Sequence, residues 1–183
     1  CRCIVAAVLA ARSLRRKARF VGVFTKPPWM DAKVALALRQ SIMGTRQPGA
    51  PRHTRLEVKG SEVLQMYPVE RWVAATVRKV LDRYQNPTKG SPLTGWHAGA
   101  EDSFRDVLEQ LLAEPGPPTQ VFVLDEDATE DAEVALERAR DAGHGRLLFI
   151  LGDHVGLSPS SREELVTRFG AVTVHLGPIA LFT

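Results

Sequence analysis

The run Leu147-Leu148-Phe149-Ile150-Leu151 breaks abruptly into Gly152-Asp153-His154-Val155-Gly156, and no other stretch restricts the fold as much. Five consecutive apolar residues stopped by a glycine read as a strand buried on both faces, the pattern of a parallel sheet covered by helices. Residues 119–124 (Thr-Gln-Val-Phe-Val-Leu) and 172–176 (Val-Thr-Val-His-Leu) read as two further strands. Helical sequence over 130–142, expected to be exposed, and over 161–168, capped by Ser158 or Ser160, separates the three. The order strand, helix, strand, helix, strand predicts an α/β fold with a mostly parallel sheet and helices on both faces. Ligands of such sheets lie beyond the carboxyl ends of the strands, so Leu124, Gly152 and Leu176 are placed to line one pocket. Gly152 lacks a Cβ and suits either a tight structural turn or close approach to a ligand, and the residues alone leave both open.

The first half offers less regular patterning. Residues 3–14 read as the end of a longer helix, 20–24 as a short strand ended by Pro27 and Pro28, and 44–53 as a basic loop. A helix over 31–43 is possible from Val34, Leu36, Leu38 and Ile42. Residues 56–58 alternate as a brief strand. Pro68 sets the first turn of a helix over about 69–84, whose apolar face is Trp72, Val73, Thr76, Val77, Val80 and Leu81. A loop rich in Gly and Pro follows over 87–99. The helix after it, over 103–113, carries Phe104, Val107, Leu108, Leu111 and Leu112 as its core stripe.

With 183 residues, 44% of them apolar, the chain can bury one substantial core, so a single domain is expected. No apolar run approaches the roughly 20 residues that cross a bilayer, and no signal peptide is evident, which points to the cytoplasm. Cys1 and Cys3 stand too close for a disulfide or metal site and suit buried apolar packing; no zinc-ligand pair occurs at useful spacing. Neither a Gly-x-Gly-x-x-Gly nor a P-loop motif is present. The formal charge is only +3, yet Arg12, Arg15, Arg16, Lys17 and Arg19 crowd eight positions while acids gather over 125–137. That asymmetry fits a polyanion held at one end, or simply a solvated helix end favoured by its dipole.

Three blocks, taken in order, carry a family resemblance. Phe149-Ile150-Leu151-Gly152-Asp153-His154-Val155-Gly156 and Val174-His175-Leu176-Gly177-Pro178-Ile179-Ala180-Leu181 resemble the cofactor loops of the archaeal-type tRNA pseudouridine N1-methyltransferases of the SPOUT superfamily. Upstream, Val58-Lys59-Gly60-Ser61-Glu62 with Pro68-Val69-Glu70-Arg71 is similar to that family's Val-Gly-Ser-Glu segment and the start of its next helix. Cys1-Arg2-Cys3-Ile4 and the pair Arg15-Arg16 fall where the family has a similar helix and basic pair.

The resemblance implies a trefoil-knotted sheet binding S-adenosylmethionine, a homodimer and a tRNA substrate. Ribosomal RNA is one rival substrate; a non-catalytic RNA-binding relative is the rival of another class. Carried over by position, Leu124, Gly152, Leu176, Gly177, Pro178, Ile179, Ala180 and Leu181 would hold the cofactor. N1 of pseudouridine must lose a proton, for which Glu62 or Asp153 would serve; Glu62 could instead cap its turn, and Asp153 and His154 could fix their own loop. Arg15, Arg16, Arg52 and Arg71 would contact phosphate, while Trp29 or Trp96 could stack a flipped base or pack internally. Against the family pattern, the first strand and the knot-threading C-terminal helix are expected to lie outside these 183 residues, which reads as a fragment. Residues 130–142 look like an insertion, and 27–51 are longer and more basic than expected.

Overall fold

The computed structural model describes residues 2–10, 13–24, 53–101, 103–152 and 156–177, and divides the chain into two units, residues 1–111 and 112–183. The first unit begins with helix α1 (Arg2–Val8), strands β1 (Leu9–Ala10) and β2 (Ser13–Leu14), and strand β3 (Arg19–Phe24). It continues through β4 (His53–Lys59), α2 (Glu70–Gln85), a 3-10 turn at Pro87–Lys89, β5 (Trp96–Glu101) and the start of α3 (Phe104–Ala113).

In the sheet β3-β4-β5 every pairing is antiparallel, with Phe20 opposite Val58 and Val58 opposite Trp96. Side chains alternate across a strand, so Leu56, Val58 and Trp96 enter one core while Arg55, Glu57, Lys59 and His97 share the other face. The core is closed by Val8 from α1, Val63, and Val73 and Val80 from α2. On α2 the expected apolar face is the one turned inward, with Val73, Val80 and Leu81 buried.

Several expectations fail here for physical reasons. The first helix stops at Val8, not residue 14: Leu9 and Ala10 pair antiparallel with Leu14 and Ser13, and the Arg15 N–H donates to the Val8 carbonyl at 2.8 Å. Cys3 is an exposed free thiol rather than core. Pro68 lies just outside α2, whose N-cap is Val69. The end of the expected 87–99 loop is instead strand: β5 (Trp96–Glu101) forms because six registered pairs to β4 outweigh the weak strand preference of His-Ala-Gly-Ala. Trp96 is buried in the core and presents no face to a base. On α3, Val107 and Leu108 are buried but Phe104 is exposed. The helix proposed for 31–43 lies outside the described residues.

The second unit contains β6 (Thr119–Leu124), β7 (Glu130–Asp131), α4 (Ala132–Asp141), β8 (Arg146–Ile150), α5 (Pro159–Phe169) and β9 (Val172–His175). These strands form a parallel sheet in the order β7-β9-β6-β8. The α/β architecture expected from the alternation is therefore present. The segment over 130–142 is less exposed than its acids suggest: it opens as β7, Asp131 accepts the Glu133 N–H at 2.8 Å, and Ala132, Ala135 and Ala139 pack on Phe122 and Val174. Ser158 caps α5 by accepting the Ser161 N–H, with Pro159 in its first turn and Gly170 in the left-handed conformation at its end.

Strand β6 lies inside the sheet between β9 and β8, and its Val121, Phe122 and Val123 are all buried. The expectation that 147–151 is buried on both faces is overturned: β8 is an edge strand, with Leu147 and Phe149 exposed and Ile150 buried. Phe149 still stacks on Phe122 across the register, centroids 5.3 Å apart. Among the described residues no helix is long and apolar enough to cross a membrane.

Candidate functional site

In the second unit the parallel pairing decides where a ligand can lie. Val123 stands opposite Ile150 and Leu124 opposite Val174, so the bends after β8 and β9 leave the sheet at the same end, flanking the end of β6. Two strand spacings separate them, about 10 Å. Hydrogen bonds fix the β6 and β9 ends. The Asp125 N–H donates to the Val174 carbonyl, the Asp125 carboxylate accepts the Asp127 N–H at 3.2 Å, and its second oxygen pairs with Arg162 of α5. In the bend after β9, Nδ1 of His175 accepts the Gly177 N–H at 3.1 Å.

Apolar side chains are exposed at this end. Leu151 is 53% and Leu176 57% exposed although both are apolar, and Leu124 is half-buried between them in the strand order. Gly177 has φ +129, and among the described residues a Cβ there would meet nothing within 4 Å. Gly152 is different. A Cβ on it would lie 2.5 Å from the Gly156 carbonyl carbon and 2.6 Å from its Cα, so its first duty is to let the loop fold back on itself. The open alternatives at Gly152 thus resolve toward close backbone packing, which brings residues 152 and 156 together at the strand end.

In the first unit Glu62 sits on the turn after β4. Gly60 makes that turn possible: its N–H donates to the Ala18 carbonyl, and a Cβ would fall 2.2 Å from the Arg15 carbonyl oxygen. Arg16 donates to the Val63 carbonyl at 2.8 Å, so this guanidinium clamps the turn. Gly95, at φ +78, packs where a Cβ would be 2.5 Å from the Val63 nitrogen, and its carbonyl accepts the Lys59 N–H. The start of β5 is thereby pressed against the Glu62 turn. His97 Nε2 donates to one Glu62 oxygen at 3.1 Å, and Lys59 Nζ lies 3.1 Å from the other. These two bonds, His97 first, hold the Glu62 carboxyl below the ordinary carboxylate range. The carboxylate therefore engages His97 from the paired strand and Lys59 three residues before it.

Behind this group lies a half-buried charge network. Glu57 takes Arg19 at 2.6 Å and Arg55 at 2.9 Å, while Gln110 of α3 joins Arg55 to Glu101. It stiffens the face from which Glu62 and Lys59 project.

Of the remaining expected contacts, Arg15 and Arg71 are exposed. Asp153, His154, Arg52, Trp29, Pro178, Ile179, Ala180 and Leu181 lie outside the described residues. His97 and Lys59 were missed as neighbours of Glu62. The signal for Lys59 was its spacing of three from Glu62, but His97 required the pairing of a strand that does not look like one.

Comparison with known proteins adds the identity of the chemistry. Residues 30–183 match the family described as "Putative SAM-dependent RNA methyltransferase". A tRNA (pseudouridine(54)-N(1))-methyltransferase of Methanococcus aeolicus is 26% identical over 187 residues, covering 99% of this chain and 75% of the relative. The protein of that name from Methanococcus maripaludis is 24% identical, with the same coverage of both. The one from Methanopyrus kandleri reaches 34% over 134 residues, 73% of this chain and 57% of its own length.

Proposed function

The chain belongs to the SAM-dependent RNA methyltransferase family, and on that premise we propose that it methylates N1 of pseudouridine 54 in tRNA. The observation that carries this reading is the shared end of β6, β8 and β9, where exposed leucines and glycine-bearing bends adjoin. The residues fit the cofactor: Leu124, Leu151 and Leu176 offer apolar cover for adenine, and the backbone about Gly152 and Gly177 offers polar groups without side-chain bulk. Pro178, Ile179, Ala180 and Leu181 follow directly and complete the set. When bound, S-adenosylmethionine supplies an electrophilic methyl group on sulfonium.

The chain's own residues then have two tasks. Glu62, kept ionised by His97 and Lys59, would accept the N1–H hydrogen bond and take that proton. Asp153 is the alternative base from the cofactor side. Arg15, Arg52 and Arg71 hold phosphate, whereas Arg16 acts at one remove by clamping the Glu62 turn. The reading includes a SPOUT-type knot threaded by a C-terminal segment, both units serving one methyltransferase domain, a homodimer and a cytoplasmic location. Incubating tRNA bearing pseudouridine 54 with the protein and methyl-labelled cofactor, then analysing nucleosides by mass spectrometry, tests it. N1-methylpseudouridine from position 54 is expected; label in another nucleoside, or none, rejects the substrate assignment.

A further inference from the structure

One outer face of α2 is basic in a way that the fold itself does not use. Arg71, Ala74, Ala75, Arg78, Lys79, Asp82 and Gln85 line an open groove of about 720 Å³. Arg71 and Arg78 stand seven residues apart, two turns along nearly one line and about 10 Å along the axis, with Lys79 beside them. Between them Ala74 and Ala75 add almost no bulk, so a polymer backbone can approach the helix closely. The groove's one acid is already neutralised: Asp82 receives Lys89 Nζ at 2.8 and 3.0 Å, and bonds from Lys89 and Asn86 hold its carboxyl below the ordinary range. Arg83 donates to the Ser91 carbonyl. Arg71, Arg78 and Lys79 are exposed and make no ion pair among the described residues.

We propose that this face of α2 holds the phosphate backbone of the RNA substrate, Arg78 and Lys79 joining Arg71 as sequence-independent contacts. The inference rests on the RNA methyltransferase reading and adds where the polyanion lies. Three exposed cations with no ion pair among the described residues, beside the small Ala74 and Ala75, complement a phosphodiester chain and give an apolar protein partner little to pack against. The contact orients the RNA and leaves base choice to other residues.

The test measures binding of an unmodified tRNA transcript across a salt titration, for the wild type and for the double variant Arg78→Gln/Lys79→Gln. Loss of two phosphate contacts lowers the slope of log affinity against log salt by about 1.4 to 1.8. An unrelated RNA duplex should lose affinity in the same proportion, and S-adenosylhomocysteine binding should stay unchanged. Ala75→Glu, a surface change between good helix formers, independently weakens tRNA binding several-fold. An unaltered slope in the double variant overturns the proposal. So does a change confined to self-association in sedimentation, which makes the face a contact between copies. Failure of methyl transfer with these binding results intact rejects only the substrate assignment.

Discussion

His97 Nε2 lies 3.1 Å from one oxygen of Glu62 while Lys59 Nζ lies 3.1 Å from the other, so a single exposed carboxylate is held from both sides by donors on paired strands. His97 stands opposite Glu57 in the register, one strand over from Lys59. The turn that carries Glu62 thus has its acceptor aimed by the sheet rather than by its own short loop.

This arrangement fixes a pH dependence. The folded carboxyl of Glu62 is lowered below its unfolded value, so its ionised form, and any stability it contributes, is present above the unfolded value and lost only as pH falls through the lowered one. Methyl transfer that needs Glu62 ionised should keep its rate down to pH values below the ordinary glutamate range. His97→Ala removes the largest cause of the lowering, and the acid limb of the pH-rate profile should move upward. A limb that does not move separates His97 from the reacting carboxylate.

Gly60→Ala places a methyl group 2.2 Å from the Arg15 carbonyl oxygen, a backbone atom that cannot simply rotate away. The expected cost is about 1–3 kcal/mol, read by urea unfolding. Displacement of the turn should also lower methyl transfer more than cofactor affinity, because Glu62 belongs to the first unit and the strand ends to the second.

Asp125 is nearly buried at the end of β6 and holds both Arg162 and the Asp127 N–H. Asp125→Ala leaves those donors without their partner and should destabilise the second unit by about 1–3 kcal/mol, discounted for the exposure of Arg162. The measurement is thermal unfolding; a loss below a few tenths of a kcal/mol would mean the pair adds nothing to the β6 end.

Much of the second unit was legible because its strands are apolar phrases ended by Gly, Pro or a turn: β6, β8 and β9 all lie where periodicity puts them. Which strand is central cannot be read that way, and so Leu147 and Phe149 proved to be on an edge strand. In the first unit, β5 draws its stability from registered partners, not from its own Trp-His-Ala-Gly-Ala-Glu sequence. The same long-range pairing creates the His97–Glu62 bond, which explains why Glu62 could be singled out by its motif while its partner could not. Similarly, Arg16 could be singled out by its charge, but the bonds from one of its guanidinium nitrogens to backbone carbonyls 44 and 47 residues away could not be read from the sequence.

The most direct test of the account follows backbone amide resonances while S-adenosylhomocysteine is added to isotopically labelled protein. If the strand ends form the methyl-donor site, the signals of Leu124 and Asp125, of Leu151 and Gly152, and of Leu176 and Gly177 shift together along one saturation curve. Shifts confined to residues 1–111, or movement of one bend without the other, would contradict a cofactor site shared by β6, β8 and β9.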